Sequence, residues 1–144
     1  MFTKVAIGSD HAGYELKQYI IDNFDETIVF NDFGTNNTES CDYPDYADKV
    51  CNFILKNDDY RGVLICGSGV GMSIAANKIQ GIRASNVTNI ETAIQSVEHN
   101  NVNILCLGSN NLDNTKAIDL ISSFLSASFT EEERYLRRIN KLNG

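Results

Sequence analysis

The sequence predicts an α/β sandwich built on one five-stranded parallel sheet. Short apolar runs rich in branched residues alternate with amphipathic stretches along the whole chain. The third run, GVLIC (Gly62–Cys66), is continuously apolar, as a strand covered on both faces must be. A helical pattern separates each strand from the next, and strands joined in that way run parallel in one sheet.

In order along the chain, KVAIGS (Lys4–Ser9) is the first strand. GYELKQYIIDNF (Gly13–Phe24) sets Leu16, Tyr19, Ile20 and Phe24 on one helical face. TIVFNDF (Thr27–Phe33) is the second strand. YPDYADKVCNFILKN (Tyr43–Asn57) is a helix with Pro44 near its first turn, where a missing N–H is tolerated. After the third strand, GMSIAANKI (Gly71–Ile79) is helical and IRAS (Ile82–Ser85) is a short fourth strand. NIETAIQSVEHN (Asn89–Asn100) is a helix, VNILCLGS (Val102–Ser109) the fifth strand, and NTKAIDLISSFLS (Asn114–Ser126) a closing helix. TEEERYLRRINKL (Thr130–Leu142) is a further helix of thin apolar content. Thr130 and Glu133 have the spacing of a capping box, and so polar a terminal helix suits contact with a partner chain. Repeats and linkers are absent, so residues 1–144 form a single domain.

Composition narrows the function. Of 144 residues, 42% are hydrophobic and 22% charged, with a formal net charge of −7. That is the balance of a globular protein, and its acidic surface argues against nonspecific nucleic-acid binding. No apolar run approaches the roughly 20 residues of a membrane span, and no leader pattern opens the chain, so the cytoplasm is the default location. The four cysteines make no C-x-x-C pair, and His11 and His99 are the only histidines, so the sequence suggests neither a metal site nor a cofactor.

In an open parallel sheet, ligands bind beyond the carboxyl ends of the strands where the strand order reverses. With the common order 2-1-3-4-5, the reversal lies between the first and third strands. It brings GSDHAG (Gly8–Gly13) to CGSGVG (Cys66–Gly71). Cys66 can be a small core residue at a strand end. A thiol just before a helix N-terminus also gains thiolate character and can serve as nucleophile or base. Gly67, Gly69 and Gly71 let the backbone approach a ligand, and successive N–H groups at a helix start hold an anion, either a phosphate or a developing oxyanion. Asp10 can cap the helix that follows it. His99 can serve catalysis or simply face the dipole at a helix C-terminus. Arg134 and Arg138 lie one turn apart, as a solvated face or as a clamp for a phosphate. Cys51 and Cys106 fit the core.

The segments GSDHAGYELK, FGT (Phe33–Thr35), DYPDYA (Asp42–Ala47), CGSGVGMSIAANK, GIRA (Gly81–Ala84) and EHNNVNILCLGS, in this order, closely resemble type B ribose-5-phosphate isomerases. These belong to a superfamily that includes the galactose-6-phosphate isomerase subunits. The resemblance implies a Rossmann-like three-layer sandwich that works as a homodimer or a dimer of dimers on a sugar phosphate, without a metal. It implies that Cys66 moves a proton between C2 and C1. The amides of Gly67, Ser68, Gly69, Val70 and Gly71 would hold the enediolate, and His99 would help open the furanose ring. Asp10, His11 and Asn100 would bind substrate. Arg134 and Arg138 would hold the phosphate, in the neighbouring subunit's site. At three positions the chain departs from the family pattern. Met72 stands where one branch has a glutamate base, Asn110 where many members have a phosphate-binding arginine, and Tyr135 where histidine is frequent. The competing readings are an isomerase of a six-carbon sugar phosphate, such as galactose or allose 6-phosphate, and a catalytically silent sugar-phosphate-binding protein.

Overall fold

In the computed structural model, residues 1–142 are described; Asn143 and Gly144, the end of the expected 1–144 domain, lie outside the described residues. Strands β1 (Lys4–Ser9), β2 (Val29–Asp32), β3 (Arg61–Cys66), β4 (Ala84–Asn86) and β5 (Ile104–Gly108) alternate with helices α1 (Tyr14–Asn23), α2 (Tyr43–Ile54), α3 (Val70–Asn77), α4 (Ile90–Asn100) and α5 (Asn114–Ser126). A sixth helix, α6 (Glu133–Leu142), follows. All strand pairs are parallel.

The strand order is β2-β1-β3-β5-β4, which corrects the expected 2-1-3-4-5. The reason lies in composition. Every residue of β5 (ILCLG) is buried, so it belongs inside the sheet. The three residues of β4 (ASN) are polar or small and partly exposed, which suits a short edge strand. Because the chain goes out to β4 and returns to β5, right-handed crossovers put α4 on the same face as α1 and α5. Helices α2 and α3 cover the other face. Two apolar layers result, one around Ile7, Ile65, Leu105 and Phe124, the other around Val50, Leu64, Met72 and Ile104.

On α1, Leu16 and Ile20 are buried as expected, but so is Lys17, while Tyr19 and Phe24 are only half-buried. The Lys17 ammonium donates to both oxygens of Asp32, at 2.7 and 2.8 Å. A buried ammonium needs such a partner. The pair ties α1 to the end of β2, where Asp32 also accepts the Gly34 N–H at 2.9 Å. A further departure is at α6, which begins at Glu133 rather than Thr130. Instead of opening a capping box, Thr130 donates its backbone N–H to Glu98 O at 3.0 Å, and the Glu132 carbonyl accepts the first helical bond, from Leu136. The result pins the start of α6 to the last turn of α4. No described helix is long and apolar enough to cross a membrane.

Candidate active site

Three strand ends meet around the loop after β3. Gly69 takes a left-handed backbone, φ 79°, and turns the chain into α3. Its N–H points back at Cys66 Sγ, 3.2 Å away, a contact that a thiolate accepts more strongly than a thiol. A Cβ on Gly69 would lie 2.4 Å from Asn86 Oδ1, and one on Gly71 2.8 Å from the Tyr43 ring, so neighbouring side chains occupy the space glycine leaves. Ser68 is exposed, its Oγ accepting the Val70 N–H at 3.2 Å and its carbonyl receiving Asn86 Nδ2 at 3.2 Å. Cys66 itself is buried, and so is Met72, at 0% exposure in the same apolar layer.

The β1 loop closes one side. Asp10 is buried and its Oδ1 accepts the Gly13 N–H at 3.0 Å, so it does fold the turn ahead of α1. Gly13 lies so close to β3 that a Cβ there would be 2.5 Å from Ile65 O. His11 Nδ1 accepts the backbone N–H of Cys41 at 3.2 Å. An imidazole held that way when neutral carries its proton on Nε2 and presents a donor there. The β5 loop closes the other side: Asn110 donates its N–H to Gly67 O at 2.9 Å, and Ser109 Oγ donates to Ala12 O at 2.9 Å. The observed strand order makes this possible, because β5, not β4, pairs with β3 and sets Gly108 beside Cys66.

So the structure brings together Asp10, His11, Cys66, Gly67, Ser68, Gly69, Val70, Gly71 and Asn110. It does not bring His99, Asn100, Arg134 or Arg138 to them within one chain. Helix α4 runs back from the end of β4, and Asn103, two residues past its cap Asn101, accepts the Gly62 N–H at the start of β3. Gly62 and Cys66 lie four positions apart along β3, roughly 13 Å. At that far pole His99 stacks on Tyr135, ring centroids 4.7 Å apart and 14° between planes. Arg134 lies over the same ring and pairs with Glu132 at 2.9 Å. Arg138 is exposed and makes no ion pair among the described residues.

The remaining thiols differ. Burial, with the Asp48 charge adding to it, pushes the Cys51 thiol up to about 12. Burial, with Cys51 and Cys66 nearby, holds Cys106 well above the ordinary thiol range. Both stay protonated and unreactive near neutrality. Iodoacetamide at pH 8 is therefore expected to leave Cys51 and Cys106 unmodified in the native protein while labelling half-buried Cys41, as peptide mass spectrometry would show; equal labelling would refute the assignment.

Sequence reasoning missed Asn86, Tyr43, Cys41 and Ser109, which hold the loops through contacts distant in sequence and have no local signature. Among the described residues, no cluster of His, Cys, Asp and Glu could hold a metal ion.

A thiol faced by a backbone N–H stands at the reversal point of a parallel α/β sheet, and the relatives of this chain make it an enzyme of the aldose–ketose isomerase class. The chain belongs to the ribose/galactose isomerase family, whose model matches residues 5–142. It is 41% identical over 128 residues to a protein of Listeria innocua named ribose-5-P isomerase B, covering 88% of this chain and 86% of that one. Among solved structures, ribose-5-phosphate isomerase B of Clostridium thermocellum has a TM-score of 0.92 at 44% identity, over 97% of this chain and 95% of that one. The Mycoplasma genitalium ribose-5-phosphate isomerase B, solved with bound ribulose-5-phosphate, has a TM-score of 0.88 at 37% identity, over 97% and 93%.

Proposed function

We propose that the chain interconverts D-ribose 5-phosphate and D-ribulose 5-phosphate by proton transfer through an enediolate. The observation that carries the chemistry is the Gly69 N–H directed at Cys66 Sγ, beside a loop of further backbone amides. As thiolate, Cys66 takes the proton from C2 of the open-chain aldose and returns it to C1, while the hydroxyl proton passes from O2 to O1. The oxygen that gains charge meanwhile is met by preorganised N–H donors, the most effective way to lower such a barrier. A base of thiol type suits this step near neutral pH. His11, through its Nε2–H, and Asp10 hold sugar hydroxyls beside the loop, with Asn110 at its rim.

Ring opening by His99, substrate binding by Asn100 and phosphate binding by Arg134 and Arg138 must then come from a second copy. This reading rests on the placement of the two groups at opposite ends of the sheet. Exposed Val70 and Ile74 on α3, with Tyr43 alongside, give an apolar surface beside Cys66 on which that copy can land. The working unit is a homodimer or a dimer of dimers, acting in the cytoplasm on pentose phosphates. No bound metal or cofactor is needed for this chemistry.

The purified protein is expected to convert ribose 5-phosphate to ribulose 5-phosphate with kcat/KM well above that for allose or galactose 6-phosphate. A side-by-side assay decides it. A higher value for a six-carbon substrate would replace this reading with the alternative. Turnover of neither, with binding of both, would leave a sugar-phosphate-binding protein.

A further inference from the structure

We propose that Tyr135 is a positioning residue that sets His99 and Arg134 together, so that ring opening and phosphate binding share one support. The inference rests on the isomerase reading and extends it to a residue without a role of its own there. Tyr135 is 9% exposed, wedged where α6 crosses the end of α4. Its ring lies nearly parallel to His99, at 4.7 Å between centroids and 14° between planes. The Arg134 guanidinium carbon stands 4.7 Å from the same ring centroid, and Arg134 Nη2 donates to the Tyr135 hydroxyl at 3.0 Å.

These contacts do different things. Stacking fixes the plane of the imidazole, and with it the direction in which its ring nitrogens point. The hydroxyl fixes the fork of the guanidinium. Arg134 spends one N–H on Tyr135 and one on Glu132. An arginine has five, so three remain for a planar approach to phosphate oxygens. A flexible arginine on an exposed turn would otherwise lose much of its side-chain freedom on binding. Tyrosine supplies both contacts at once. Phenylalanine can supply the stack alone, and leucine neither.

The kinetic signature therefore separates the two halves. With ribose 5-phosphate, Tyr135→Phe is expected to raise KM about three- to tenfold while kcat stays within about twofold. Tyr135→Leu is expected to lower kcat about tenfold or more as well. In a double-variant cycle, Tyr135→Leu should add little to the loss of kcat already caused by His99→Ala, while its rise in KM persists. Thermal unfolding of each variant shows whether it is folded at assay temperature, and the phenylalanine variant keeps the test open should leucine fail to fold. Unchanged KM and kcat in the folded phenylalanine variant, or full additivity in kcat between Tyr135→Leu and His99→Ala, overturns the positioning role while activity loss in His99→Ala alone leaves the isomerase reading standing. Unchanged kinetics in both His99→Ala and Arg134→Ala overturn the roles on which the proposal rests, and the proposal with them.

Discussion

Alanine at Cys66 abolishes isomerisation while leaving the protein folded and able to bind substrate. The expected loss in kcat is about 10²- to 10⁴-fold, the usual contribution of a positioned base. The cause is specific: Cys66 is the base of the proposed proton transfer, and alanine leaves nothing in place of its sulfur beside the Gly69 N–H. Removing Sγ leaves the Gly69 N–H without its acceptor, which costs about 1 kcal/mol. For a chain of this size that lowers Tm by about 3 °C, too little to explain lost activity at room temperature. Calorimetric titration with ribose 5-phosphate should show a Kd within a few-fold of the parent. Full turnover by Cys66→Ala would sink the thiol mechanism.

Two strongly impaired variants, Cys66→Ala and His99→Ala, regain activity when their subunits are mixed and allowed to exchange. With equal amounts, half the dimers are mixed. In each mixed dimer one of the two sites pairs an intact Cys66 with an intact His99 from the other chain. The mixture should therefore recover about a quarter of parent activity, from symmetry alone. The prediction follows from the helix direction: α4 ends where β3 begins, so its His99 faces away from its own Cys66. A mixture that stays inactive after proven exchange would place the site within one chain. So would a fully active monomer in sedimentation.

Much of this was legible in the residues before any coordinates. The reversal between β1 and β3 depends only on the first three strands, so it survives the misplaced fourth and fifth. The β5-inside, β4-outside order was also available from ILCLG against ASN; the fully apolar segment is the one that can be covered on both faces. Spacing made the CGSGVG loop conspicuous. The separation of His99 from Cys66 was implicit as well, since any helix crossing between parallel strands ends near the strand starts. What spacing could not give were partners distant in sequence. Asn86 reaches Ser68 across 18 positions and Cys41 reaches His11 across 30. The burial of Lys17 was hidden for the same reason, since only the fold brings Asp32 to it.

The close glycine contacts of the β1 and β3 loops have a consequence for which sugars the enzyme can take. Gly13 and Gly69 are packed so tightly that their backbones cannot retreat without displacing a carbonyl or an amide side chain. The end of the site that meets the carbonyl carbon is thus a fixed zero mark. In the two-chain arrangement proposed above, the other mark is the arginine pair on the opposing α6. Carbon-chain length is then measured by the docking distance between chains. Evolution from five to six carbons would come from substitutions at the interface, with the catalytic loop left untouched.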